Sequence, residues 1–302
     1  MEGLTQIRVL FGGEWRRTVR SARVVVLLLL FAMFTLLALL LVGAASNALD
    51  KQLGGQLAAG ASPEAAAQAM DQLRRGTIGF LFSDDTAAIE ALARIPLVVL
   101  VVFRLTLVFL PLYIALMGFD QLAGEIGPKS IRYLLVRASR SAILFGKFLG
   151  QAAVLVALVG VIDLAIFTYA RITHPDFGIG IALLMLFKLW VAATVFSLAY
   201  LALTTLCSAL FRSAAVSLVF NIIVLFGFWL MDAIGQSVAI SAKLADSTPS
   251  PVAFVRYFSP SHYSAGLLHP ALSHFAVSGA AFAGFALLFL AAAYAVMRER
   301  DL

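Results

Sequence analysis

Leu97–Phe119 reads LVVLVVFRLTLVFLPLYIALMGF, an apolar run interrupted by a single charge, Arg104. Its length decides the fold class. At about 1.5 Å of rise per residue it crosses a hydrocarbon core of about 30 Å. Peptide groups facing lipid must be satisfied internally, so the run must be helical. Working outward, comparable stretches lie at approximately Val24–Ala44, Ile143–Ala170, Ile179–Leu206, Ala214–Met231 and Phe275–Met297. The composition agrees, with 62% hydrophobic and 13% charged residues and a mean hydropathy of +0.98. The expectation is an all-α polytopic membrane protein: six transmembrane helices in a single domain over residues 1–302, with no room for a soluble catalytic domain of ordinary size.

Charge gives the topology. The net charge of +6 is not a nucleic-acid signal, because the basic residues border membrane spans instead of covering a soluble face. Arg8, Arg16, Arg17, Arg20 and Arg23 precede the first span; Lys129, Arg132, Arg137, Arg140 and Lys147 follow the second; Arg298 and Arg300 follow the last. The positive-inside rule then sets both termini in the cytoplasm. The run of arginines, apolar residues and small residues at the start resembles a signal peptide, but its leader and apolar run are too long, so an uncleaved first span is expected. Cys207, the only cysteine, cannot form an internal disulfide.

Residues 1–23 carry Leu4, Ile7, Leu10, Phe11, Trp15 and Val19 at helical spacing, with arginines around the rest of the helix. That pattern predicts an N-terminal cytoplasmic amphipathic helix lying at the interface, weakened at Gly12–Gly13. The extracytoplasmic loop 45–96 is too long to lack structure. Ser62-Pro63-Glu64 reads as a helix start, Arg74-Arg75-Gly76 as its end, and Ser83-Asp84-Asp85 as a second start. The outer segment 235–274 mixes apolar residues with prolines and is expected to be re-entrant-like. Ala280 and Gly284 offer a close helix contact.

The richest polar stretch is the cytoplasmic loop 119–142. Gly124-Glu-Ile-Gly-Pro-Lys129-Ser130 fails the spacing of a phosphate-binding loop, and Pro128 lacks a donor, so no Walker-type ATP site is expected. Read from Asp120, the stretch carries Glu125, Leu134-Leu135 and Ser139-Arg140, and Gly146-Lys147 opens the next span. In that order it resembles the signature of the type-two ABC exporter permeases (ABC-2 type), with the glycine–hydroxyl step stretched to Gly127-Pro-Lys-Ser130. The resemblance extends to the amphipathic leader, the six spans, the short 208–213 loop, Ser259-Pro260 and the Arg298–Asp301 tail.

The resemblance implies the ABC type-2 exporter permease fold in a bacterial cytoplasmic (inner) membrane. It implies a permease paired with a second, identical or homologous permease and with cytosolic ATP-binding subunits that hold ATP and Mg; the chain itself has no cofactor and is not an enzyme. Asp120, Glu125, Lys129, Arg132, Arg137 and Arg140 would then couple the loop to the ATPase, because carboxylates are interleaved with the cations, whereas topology alone asks only for cations. A merely solvated loop is the plainer alternative.

Three ionisable residues fall inside spans: Arg104, Asp163 and Lys188. Such groups usually face a bundle interior and pair, so Asp163 is expected to neutralise Arg104 or Lys188, with snorkelling of the two cations as the alternative. These residues also define a rival function, an ion- or proton-coupled secondary transporter; a structural or regulatory membrane subunit is a third. His174, His262, His269 and His274 lack i,i+4 spacing, so no metal site is expected.

Overall fold

Among the described residues every element is a helix, as peptide groups in lipid require. The computed structural model describes residues 2–22, 24–26, 28–30, 32–37, 39–40, 44, 51, 62–81, 86–93, 95–173, 178–245, 248, 250–269 and 271–300. In chain order the α-helices are α1 (Glu2–Val19), α2 (Val24–Leu37), α3 (Pro63–Leu81), α4 (Thr86–Leu92), α5 (Leu97–Gly118), α6 (Ala123–Ile126), α7 (Ile131–Leu135), α8 (Arg140–Thr173), α9 (Ile179–Leu210), α10 (Ala214–Leu244) and α11 (Leu272–Glu299). Two 3-10 helices, Pro251–Phe258 and Pro260–Leu268, join the last two. Among the described residues five helices are long and apolar enough to cross a membrane, and six if α1 and α2, bent by 55° at their junction, count as one span.

Helix α9 is the axis: α5, α8, α10 and α11 all pack against it. Its inward positions include Ala192, Ala193, Ser197, Ala199 and Ala202, all buried. Small residues matter here because lipid is as apolar as leucine, so helices associate through close backbone approach and polar contacts, with little hydrophobic drive between them. The polarity of α10 is inverted relative to a soluble helix. It buries Ser217 and Asn221 while Val219, Ile223, Phe226 and Trp229 are exposed, and Asn221 Nδ2 donates to Thr204 Oγ1 of α9 at 2.9 Å. A second, smaller core at one end joins Leu122, Ile126, Ile131, Ile143, Leu144, Ala293 and Met297. It ties the α5–α8 connection to the end of α11 and supports the site described below.

The boundaries differ from the sequence-based ones in instructive places. Helix α10 runs on to Leu244 instead of stopping near Met231. A Cβ on Gly235 would meet Arg256 Cβ at 2.7 Å, so this glycine admits the first 3-10 helix against α10 and does not end the helix. Helix α3 is capped as expected, Ala65 N donating to Ser62 Oγ at 3.2 Å, but it continues through Arg74-Arg75-Gly76 to Leu81. The Arg75–Asp71 pair at 2.7 Å and burial of Ile78 offset the cost of a helical glycine, about 1 kcal/mol. Helix α1 likewise runs unbroken through Gly12–Gly13. A Cβ on Gly284 would meet nothing within 4 Å, so no close contact forms there among the described residues. The expected start at Ser83–Asp85 lies outside the described residues.

Candidate functional site

Helix α1 lies along the first turns of α8, and two glycines make this possible. A Cβ on Gly146 would stand 2.7 Å from Leu10 Cβ, and one on Gly150 2.8 Å from Glu14 Cβ. The face that α1 turns inward therefore carries Leu10 and Glu14, with Thr18 one turn on; Leu4 and Val19 of the apolar stripe are exposed on the protein. That rotation brings a carboxylate into the packing.

Glu14 meets Lys147, the residue that follows the first of these glycines. Lys147 Nζ lies 3.3 Å from Glu14 Oε2 and 2.7 Å from Glu125 Oε1, with side-chain exposures of 4%, 8% and 17% for the lysine and the two acids. Arg17 Nη1 reaches the same Glu125 Oε1 at 3.3 Å from an exposed position. Two acids and two bases balance in formal charge. The low-dielectric setting makes each bond strong but leaves any unpaired member expensive. One ammonium thus joins α1, α6 and α8.

The loop between α5 and α8 is anchored by other side chains. Ser208 Oγ accepts from the backbone N–H groups of Leu122 at 2.9 Å and Ala123 at 3.0 Å, and donates to Phe119 O at 3.0 Å. Gly127 backs against the α9–α10 connection, where a Cβ would meet Arg212 O at 2.6 Å. After Pro128 the chain turns sharply, with Lys129 at φ 62°, a left-handed conformation that costs a non-glycine residue about 1–2 kcal/mol. Ser139 then caps α8, accepting from Ala142 N at 3.2 Å, and Ser139 N donates to Gln6 Oε1 of α1 at 3.2 Å.

The end of α11 is stapled to the same region. Arg140 Nη1 donates to the carbonyls of Met297, at 2.8 Å, and Arg298. Arg300 Nη1 donates to Ala209 O at the end of α9, at 2.6 Å. These are last-turn carbonyls without intrahelical partners, satisfied by guanidinium donors. Burial and the nearby Arg212 guanidinium lower the pKa of Arg300.

Of the six residues expected to form one coupling surface, two are drawn into the ties, three are exposed and one is half-buried. Glu125 and Arg140 point into the ties just described. Lys129, Arg132 and Arg137 are exposed, and between them stand Tyr133 and Val136, 80% and 86% exposed. Asp120 is half-buried beside Gly124. Residues Glu14, Arg17 and Lys147, absent from that expected set, complete the ion network. The signal for Glu14 was its place at helical spacing from Leu10, Phe11 and Thr18 in an otherwise basic leader.

The three intramembrane charges are not joined as expected. Among the described residues no ion pair within 4.0 Å links Asp163 to Arg104 or Lys188, and Asp163 Oδ2 is buried without a hydrogen-bond partner. Lys188 Nζ instead donates to His269 O at 2.9 Å. Arg104 lines a cavity of about 670 Å³ between α5 and α10, with Asp232, Tyr200, Phe226 and Trp229. His262 Nδ1 stands 3.6 Å from Asp232 Oδ1. His174 and Asp176 lie outside the described residues, among which no three His, Cys, Asp or Glu side chains are grouped to hold a metal ion.

Comparison with known proteins places this architecture. A search of curated proteins found no significant match. Residues 8–302 match the family described as ABC-2 family transporter protein, a match that covers the leader, the loop and the tail together. The chain is a multi-pass membrane protein that belongs to the ABC-2 transporter family, whose members are membrane components and not themselves catalysts.

Proposed function

We propose that the chain is the membrane-spanning permease subunit of an ATP-driven exporter, in a bacterial inner membrane with both termini cytoplasmic. It pairs with a second permease and is driven by separate cytosolic subunits that bind and hydrolyse ATP with Mg. The observation that carries this reading is the exposed Tyr133–Val136 turn, ringed by Lys129, Arg132 and Arg137 and braced from behind by the buried Lys147 network. A turn with no partner would gain nothing from exposing an aromatic and a valine among cations. Docked in a partner's groove it would pass displacement directly into α1 and α8, because rigid ties connect all three.

Two further features support a dimer. Helix α10 offers an almost wholly exposed apolar face, and the Arg104–Asp232 cavity beside it is half-open, aromatic and polar at one side, a surface suited to amphiphilic cargo passing between two copies.

Co-purification and vesicle transport test the proposal. The full chain, co-expressed with the ATPase encoded beside it, should retain that subunit, and flux should require ATP hydrolysis. Val136→Asp, on the exposed turn, should reduce retention at least tenfold while the permease stays folded. Flux that survives without ATP but collapses with an ion gradient would instead establish the secondary-transporter reading, which the partnerless Asp163 Oδ2 favours. Flux indifferent to the chain would make it a structural or regulatory subunit.

A further inference from the structure

Lys188 sits on α9 about 30 Å from Ala209 at 1.5 Å per residue, so it lies at the opposite end of the bundle from the Lys147 network. There it opens into a cavity of about 390 Å³ whose walls are mostly apolar, Leu92, Ile95, Leu184, Phe187 and Phe275 among them, with His269 the other polar side chain on the lining. The ammonium donates to two carbonyls at the end of the second 3-10 helix, His269 O at 2.9 Å and Leu268 O at 3.5 Å. Carbonyls satisfy donors but do not neutralise charge, and among the described residues no carboxylate lies within 4.0 Å of Nζ. An ammonium has three donors, so one is left for a ligand.

A second cation adjoins the same wall. Arg74 Nη2 donates to the carbonyl of Ile95 at 2.8 Å, and Arg74 Nε is buried with no hydrogen-bond partner. Lys188 on the lining and Arg74 behind the Ile95 wall both donate to backbone carbonyls, which makes the site electropositive beside an apolar space. Its surroundings are apolar too: Leu184, Phe187 and Leu272 are 63%, 64% and 78% exposed. The volume exceeds by far the roughly 30 Å³ share of one water and falls in the range of ligand pockets, about 300–1,000 Å³.

We propose that this cavity binds one acidic amphiphile, a phosphate or carboxylate headgroup on an apolar chain, with Lys188 as the headgroup ligand. The headgroup takes the third donor of the ammonium and supplies the missing negative charge. The chain fills the space between α4, α9 and α11. The proposal stands apart from the transport reading, since a resident lipid would occupy the site whether or not the protein moves cargo.

Native mass spectrometry of the full chain tests it, after reconstitution with phosphatidylcholine plus either phosphatidylglycerol or oleate as probe. Wild type and Lys188→Arg should retain one acidic molecule in preference to phosphatidylcholine. Lys188→Gln, which can still donate to the His269 carbonyl, should retain about fivefold less, the effect of about one cation at a lipid surface. Ala91→Phe, placed on the cavity wall, leaves the ammonium untouched and should abolish retention by filling the space. Retention of phosphatidylglycerol alone assigns the site to a phosphate lipid, and of oleate alone to a carboxylate; both support the proposal. Equal retention by wild type and Lys188→Gln, or complete displacement by inorganic phosphate, would overturn it.

Discussion

Lys147 Nζ lies 2.7 Å from Glu125 Oε1, and the ammonium is almost wholly buried. This contact bonds the start of α8 to the loop that precedes it, and Glu14 extends it to α1 at 3.3 Å. The exposed residues Tyr133 and Val136 belong to the same loop that this contact ties to α8.

Replacing the lysine leaves both carboxylates to the exposed Arg17 alone, at 3.3 Å from Glu125 and 3.9 Å from Glu14. Lys147→Met should destabilise the permease by about 3–5 kcal/mol, the usual cost of breaking a buried pair from one side. Adding Glu125→Gln should restore part of the loss, with a coupling energy of about 0.5–3 kcal/mol. Thermal unfolding in detergent of the two single variants and the double variant measures this; strictly additive effects would show that the pair is not coupled.

Close backbone approach is the second requirement. Gly150→Ala places a methyl 2.8 Å from Glu14 Cβ, so α1 must shift away from α8. The expected loss is about 1–3 kcal/mol, typical of overpacking. A cysteine pair at Gln6 and Ser139, whose side chain and backbone are hydrogen-bonded in the structure, should then cross-link less readily. Unchanged cross-linking would place the seam elsewhere.

Ser208 holds the loop by three hydrogen bonds from one hydroxyl. Ser208→Ala leaves two buried N–H groups and a carbonyl without that partner, at a cost of about 1–3 kcal/mol. Hydrogen exchange at Leu122 and Ala123 should accelerate. In the assembled transporter, ATP hydrolysis should persist while transport falls, because the loop would yield before the helices move.

Asp163 carries the opposite expectation. Its Oδ2 is buried without a partner, and an unpaired buried carboxylate is a cost. Asp163→Asn should therefore keep or raise stability, by up to about 2 kcal/mol, with ATP-driven transport retained. Transport lost from a protein that remains folded would mark this carboxylate as part of a coupling site.

The expected first span, Val24–Ala44, counts as one only with α1 joined to α2, whereas the order of the five long apolar helices and the starts at Leu97, Ile179 and Ala214 were legible in the residues because apolar length is a local property. So were the cap at Ser62 and the family-ordered loop. The α10 end was missed because a glycine reads alike whether it breaks a helix or admits a neighbour; Arg256 decides that at Gly235. The expected intramembrane pair does not form among the described residues because equal depth says nothing about direction, and Lys188 turns to a carbonyl instead of to Asp163.

Hydropathy thus specified the five described helices long and apolar enough to cross a membrane and their order, and the sequence showed which loop carries the interleaved charges. Which side chains meet was left to packing. Partnership between Glu14, Lys147 and Glu125 depends on the rotation of α1 against α8, and that rotation is set where Gly146 and Gly150 let two backbones touch. Helical periodicity defines faces along one element, but the angle at which two helices share a face is a property of both surfaces together.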